Sequence, residues 1–165
     1  MSVTAPQGFR AAGVSAGLKS AGLDVALVVN DGPQWTAAGV FTANRVKAAP
    51  VLWSEQVLRG GRVRAVVLNS GGANACTGPA GFQDTHTTAE HVAGLLDIGA
   101  GEVAVCSTGL IGVRLPMDRL LSGVGAATTA LSTDGAAAAE AIMTTDTRPK
   151  TTVVEGDGWR VGGMG

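Results

Sequence analysis

Val63 to Asn69 (VRAVVLN) decides how this chain is read, because the residues after it set a strand–turn–helix rhythm that repeats downstream. Val66, Val67 and Leu68 form an apolar centre, which predicts a buried strand. A loop, Ser70-Gly71-Gly72-Ala73-Asn74-Ala75-Cys76-Thr77-Gly78, leads to Pro79, which opens a helix running to about Ile98. Phe82, Ala89, Val92, Ala93 and Leu96 fall on one face of that helix at helical spacing. Glu102 to Ser107 (EVAVCS) predicts the next strand, Thr108 to Gly112 (TGLIG) the turn leaving it, and Pro116 the start of another helix. The inner face of this helix carries Met117, Leu120, Leu121, Val124 and Leu131.

Working outward, Asp24 to Asn30 (DVALVVN) reads as a strand ending at an Asn30-Asp31-Gly32-Pro33 turn, with Thr36 to Thr42 as its hairpin partner. Pro50 to Gly60 predicts a short helix, Pro at its start and Gly at its end. Asp134 caps a further helix from Gly135 to Met143. Lys150 to Glu155 and Trp159 to Val161 form a closing hairpin about Gly156-Asp157-Gly158. Strands alternate with helices in the middle and hairpins stand at both ends, which predicts a mixed α/β, α+β layered fold in a single domain over residues 1–165. Gly162 to Gly165 ends the chain abruptly after a strand, as if cut.

The bulk numbers exclude several function classes. The 165 residues suit one domain with a real core. Net charge is −1, with 12 basic and 13 acidic residues and no basic stripe, so nucleic-acid binding has no electrostatic footprint. No apolar run approaches membrane-spanning length, and the N-terminus lacks a signal-peptide pattern, so a cytoplasmic location is expected. Cys76 and Cys106 have no His at zinc spacing, and no metal is expected. In a reducing compartment both read as small buried hydrophobes.

Three segments can carry chemistry. Asn69 to Asn74 is a Gly-rich turn after a strand, where backbone N–H groups can converge on an anion, or where Gly71 and Gly72 simply supply a tight turn. In Ser107 to Gly112, the Thr108 hydroxyl beside the Gly109 N–H has the components of an oxyanion hole; an ordinary turn in which Thr108 bonds its own backbone is the other reading. Met143 to Thr147 gathers polar groups after an Ala-rich helix, either for an amino-acid substrate or as a helix-ending turn. His86 and His91 lie on different helix faces and read as a solvated surface, with Asp84 and Glu90 nearby. No nucleophile here has a recognisable base partner, so the chain does not read as a complete enzyme.

Taken in order, Asn69–Gly78 (NSGGANACTG), Cys106–Gly112 (CSTGLIG) with Leu115-Pro116-Met117-Asp118, and Ala141–Asp146 (AIMTTD), preceded by Gly8–Gly13 (GFRAAG), resemble the ornithine acetyltransferase family, also called bifunctional glutamate N-acetyltransferase. The resemblance runs from about Pro6 to the last residue. It implies a precursor that cuts itself before a Thr, giving an α chain, which is this one, and a β chain whose N-terminal Thr is the nucleophile. The α-amino group of that Thr, with a pKa of about 8, or a water it positions, serves as base. Acetyl then passes from N-acetylornithine through an acyl-Thr to glutamate, a ping-pong reaction of arginine biosynthesis.

The resemblance further implies that Thr108 and Gly109 are the oxyanion pair and Thr144 binds substrate. It implies no cofactor, acetyl-CoA as an acetyl donor only in bifunctional members, an α2β2 heterotetramer, and an α/β/β/α sandwich completed by the β chain. The substrate-binding Lys, the scissile bond and the nucleophile of the family lie past Gly165 and have no number here. Rival readings are a paralogous self-processing acyltransferase of secondary metabolism, an N-terminal-nucleophile amidase or aminopeptidase, and a non-catalytic anion-binding domain.

Overall fold

The computed structural model describes residues 2–165. Four strands form one sheet in sequence order: β1 (Phe9–Val14), β2 (Val25–Asn30), β3 (Ala65–Gly72) and β4 (Val103–Leu110). β1–β2 and β2–β3 are antiparallel, whereas β3–β4 is parallel. A parallel neighbour requires a crossover, supplied by α2 (Gly78–Leu96). The remaining elements are α1 (Ala49–Leu58), α3 (Met117–Thr129), α4 (Ala136–Ala141) and a separate hairpin of β5 (Thr151–Gly156) with β6 (Trp159–Met164).

The sheet has two unlike faces, as the two-residue period of strands dictates. Val25, Leu27, Val29, Ala65, Val67, Val103 and Val105 point to one side, where Ala89, Val92 and Ala93 of α2 and Leu120, Val124 and Ala127 of α3 close the main core. On the other side α4 packs mainly on β1 and β2, through Ala11, Ala26, Ala138 and Ala141, with Leu68 of β3 against the same cluster. Gly13 permits that approach, since a Cβ there would lie 2.0 Å from the Ala137 carbonyl oxygen. On the same face the start of β3 and β4 is covered, Val66 and Ala104 packing with Val57, Val63 and Leu58, and the far end of β4, from Cys106 on, is left open.

β4 is an edge strand, and α1 seals its first half. The buried Ser54 hydroxyl donates to the Val105 carbonyl at 2.7 Å and accepts from the Val105 N–H at 2.9 Å, while Trp53 Nε1 donates to the Val103 carbonyl. Edge groups that would otherwise need a further strand are thus satisfied by side chains. Ser54→Ala leaves a buried donor and a buried acceptor unpaired and is expected to destabilise by about 1–3 kcal/mol. A denaturant titration checks it, and an unmoved midpoint would show that the hydroxyl contributes nothing to the edge.

Several of the expected elements differ in the structure. Residues 36–42 do not form a strand; Thr36 makes a single bridge to Arg62, and Val40 is 99% exposed. The true partner of β2 is β1, whose Phe9–Val14 (FRAAGV) is too poor in β-branched residues to advertise itself. β3 and β4 also run on through the glycines read as loops: Ser70 pairs with Thr108, Gly71 with Gly109 and Gly72 with Leu110. Finally, α2 stops at Leu96 because Asp97 turns left-handed (φ 53°) and its N–H closes on the Ala93 carbonyl.

Candidate active-site corner

The open face and the open edge of the sheet meet at the far end of β4. The first half of the strand fixes the orientation there. Val103 and Val105 point their side chains into the core, so Ala104, Cys106 and Thr108 point to the opposite face, where Ala104 is buried against Val57 and Val63 and Cys106 and Thr108 are exposed. Val105 turns its N–H and C=O outward to Ser54, so by the alternation of a strand Gly109 also directs its N–H away from β3, off the free edge. The Thr108 side chain is exposed beside it. A hydroxyl on the face and a main-chain donor on the edge therefore stand next to each other at one corner.

Gly109 has its conformation for a structural reason. Its φ of 131° lies where L side chains rarely go, and a Cβ would sit 2.4 Å from the carbonyl carbon of Gly71. Opposite, Gly71 (φ 112°) is crowded by the Leu18 carbonyl and by Lys19 Cγ, the latter 3.2 Å from where a Cβ would be. This seam of two glycines lies at the carboxyl ends of the parallel pair, where open α/β sheets characteristically take ligands.

The loop pressed on the seam is held by Asp24. This carboxylate is completely buried and accepts from the main-chain N–H groups of Ala16 (2.6 Å), Leu18 (2.6 Å) and Lys19 (3.0 Å). From there the Lys19 ammonium donates to the Met143 carbonyl at 3.0 Å. Ser70 makes a second tie, its buried hydroxyl donating to the Ala141 carbonyl at 2.7 Å. The Ser70 bond fastens the end of α4 to the end of β3, and the Lys19 bond ties the loop before β2 to the residue before the exposed Thr144. The Thr144 N–H donates to Asp146, whose carboxyl the Lys150 ammonium and this N–H hold below the ordinary carboxylate range. The three predicted site residues thus stand at one end of the sheet, Thr108 and Gly109 on β4 and Thr144 on the segment tied to β3.

The Asn69–Gly78 segment is structural in its second half. Asn74 is fully buried with a left-handed φ of 48°. Its amide donates to the Gly81 carbonyl and Thr85 Oγ1, and its carbonyl oxygens accept from Thr77 Oγ1 and the Ala49 N–H. The Ala73 N–H then bonds the Leu110 carbonyl and the Gly112 N–H the Ala75 carbonyl, so this loop buttresses the turn after β4. That turn bears exposed Leu110 (69%), Ile111 (68%) and Val113 (60%). Arg114 pins it, donating twice to the buried carboxylate of Asp84.

Asp84 is therefore no part of a solvated surface; the fixed guanidinium fork explains how it can be buried. His91 bonds the Leu121 carbonyl and His86 lies against Trp53, 4.9 Å between ring centres. The cysteines also differ from expectation. Both are exposed, Cys76 on the strained loop and Cys106 on the uncovered face of β4. Burial by the surrounding protein raises the Cys106 thiol above its ordinary value.

A small cleft of about 150 Å³ opens next to the glycine seam, among Leu18, Gly71, Gly72, Leu110, Val113 and Leu115, and is not itself lined by Thr108, Gly109 or Thr144. A larger groove of about 450 Å³ lies between Ala5–Gln7 and the β5–β6 hairpin and is lined by none of the predicted site residues. Among the described residues no group of three His, Cys, Asp or Glu side chains is placed to hold a metal, and no helix is long and apolar enough to cross a membrane. Lys19, Asp24 and Ser70 escaped the sequence reading. The one signal available was Asp24 itself, an acidic residue set directly against an apolar strand.

Comparison with known proteins places these features in context. The sequence profile of the ArgJ family matches residues 10–165. The chain is 71% identical over 166 aligned residues to the arginine biosynthesis bifunctional protein ArgJ of Streptomyces coelicolor, covering 99% of this chain and 43% of that protein. It thus spans less than half the length of the curated relatives it matches. A crystal structure of ornithine acetyltransferase from Mycobacterium tuberculosis, complexed with ornithine, superposes with a TM-score of 0.98 at 63% identity, covering 99% of this chain and 90% of that one. The arginine biosynthesis bifunctional protein of Bacillus halodurans gives a TM-score of 0.90 at 37% identity, covering all of this chain and 89% of its own.

Proposed function

The chain belongs to the ArgJ family, and on that premise we propose that it is the N-terminal, α part of a self-processing glutamate N-acetyltransferase of arginine biosynthesis, cytoplasmic and free of cofactor. The observation that carries this reading is the Gly109 N–H, directed off an unsealed edge beside an exposed Thr108 hydroxyl. Two adjacent donors without a strand to satisfy them suit an oxyanion better than a turn. The name of the M. tuberculosis neighbour and its bound ornithine support the same chemistry.

In this reading the nucleophile is a Thr hydroxyl of the β chain. It attacks the acetyl carbonyl of N-acetylornithine, and the charge gathering on the carbonyl oxygen is received by Thr108 and Gly109. The C–N bond breaks, the departing amine of ornithine takes up a proton, and the acetyl group remains as a Thr ester. The amine of glutamate then attacks that ester at the same corner, displacing the Thr oxygen and losing a proton. Thr144 binds the amino-acid part of the substrate. Acetyl-CoA serves as an alternative acetyl donor if the protein is bifunctional.

The open part of the β3–β4 face is the seat for the β chain's sheet, giving an α/β/β/α sandwich and, by the family's assembly, α2β2. Expression of the family-length protein tests the proposal directly. Intact mass and N-terminal sequencing should reveal a second polypeptide beginning with Thr, and the purified material should move acetyl from N-acetylornithine to glutamate. A single uncut polypeptide that binds these compounds without turnover would overturn the proposal in favour of a binding domain.

A further inference from the structure

We propose that Lys19 is a positioning residue of this corner, setting the place of Thr144 relative to the Thr108–Gly109 edge; the inference rests on the acyl-transfer reading above. The two parts of the site come from distant stretches of chain, β4 and the segment after α4, with no covalent link shorter than the intervening helices. Something must fix their separation. Lys19 touches both sides: its stem lies over Gly71, directly across the pair from Gly109, and its ammonium bonds the carbonyl of Met143, the residue before Thr144.

The strut is itself held rigidly. Asp24 receives three N–H groups from the loop bearing Lys19, so the lysine backbone cannot drift away from β2, on which Asp24 borders. A carboxylate buried among N–H donors is a strong local anchor, because each such bond is charge-assisted. Among the described residues Lys19 forms no ion pair, and its ammonium is bonded to this one carbonyl. A lysine used only for solubility would leave its ammonium in water; here a half-buried stem is threaded across a seam to reach a specific carbonyl. Ser70 fastens α4 two residues earlier, at Ala141, so Lys19 governs the last step to Thr144 rather than the docking of the helix.

The test uses the family-length, self-processed protein. Lys19→Met keeps the apolar stem over Gly71 and removes the donor; Lys19→Arg restores a donor of similar reach. Two reactions are compared: acylation by p-nitrophenyl acetate, which has no amino-acid part, and acetyl transfer from N-acetylornithine to glutamate. Lys19→Met should leave ester acylation within about twofold of the unaltered protein and raise KM for N-acetylornithine about tenfold, the factor expected for one charge-assisted hydrogen bond. Lys19→Arg should recover most of that loss.

An unchanged KM in Lys19→Met would overturn the proposal. So would an equal fall in both reactions, which marks general damage rather than misplacement of Thr144. Failure of the unaltered protein to transfer acetyl would instead bring down the acyl-transfer reading, and Lys19's role with it.

Discussion

Gly109→Ala should reduce acetyl transfer to background in the family-length protein, a loss of more than about 10³ in kcat. Two effects act together. The backbone at φ 131° is strained for any residue with a Cβ, a penalty of about 1–3 kcal/mol. The new methyl group would also lie 2.4 Å from the Gly71 carbonyl carbon and 2.6 Å from the Gly72 N, and main-chain atoms in a paired strand cannot swing aside. The strands must therefore part at the seam, and the Gly109 N–H must turn. Misplacement of a reacting group by about 1 Å already costs roughly 10²-fold, before the lost hydrogen bond is counted. Steady-state assay against a thermal melt separates the outcomes: the melt should drop by a few degrees while turnover vanishes. Turnover near that of the unaltered protein would mean that Gly109 plays no part in the chemistry.

Thr108→Ala isolates the other donor without disturbing the backbone. The side chain is exposed on the open face, so its removal should leave stability within about 0.5 kcal/mol. Loss of one oxyanion donor typically lowers kcat by about 10²–10³, equivalent to about 3–4 kcal/mol of barrier. KM for N-acetylornithine should scarcely move, since the donor acts on charge that exists only in the transition state. Thr108→Ser retains the hydroxyl and should recover most of the rate. A large rise in KM with kcat intact would make Thr108 a binding residue and leave the oxyanion role to Gly109 alone.

The parts of the fold that rest on side-chain pattern were legible in the sequence. α1, α2 and α3 each begin at or next to a proline, and Val92, Ala93, Leu120 and Val124 bury as their spacing predicts. The parts that rest on the backbone were not. Gly71, Gly72 and Gly109 have no side chains to show alternation, so a continuing strand looked like a loop. β1 was hidden for a similar reason, since Ala and Gly suit its close contact with α4 but signal no strand. Thr36–Thr42 failed the other way: its apolar run advertised a strand, whereas among the described residues its only main-chain pairing is a short bridge from residues 35–37 to residues 61–63. Trp35 in that bridge is bonded to the Asn30 carbonyl and stacked under Arg62 and Arg64.

The candidate site shows the same division. Thr108, Gly109 and Thr144 were singled out through local motifs, each a few residues long, and the roles proposed for them come from the family resemblance. Lys19 could not be found in that way, because its partner is a main-chain carbonyl 124 residues away, and every residue type offers one. Asp84 was misjudged on a surface for want of Arg114, thirty residues distant. Contacts between side chain and backbone, or across a crossover, leave no periodic trace.

The half-covered sheet has a consequence for the timing of assembly. Apolar Leu110, Ile111 and Val113 stand in water next to an unsealed strand end, a surface on which any passing strand can settle. If the complementary sheet is made on the same polypeptide, the rightful occupant arrives as a tethered neighbour, at an effective concentration in the millimolar range for a short linker. Strangers at ordinary cellular concentrations are then outcompeted without any added selectivity at the surface. Cutting the tether only after docking keeps that advantage during the one interval when the face is bare. In this view the single precursor is a device for privacy, and cleavage can wait until there is nothing left to protect.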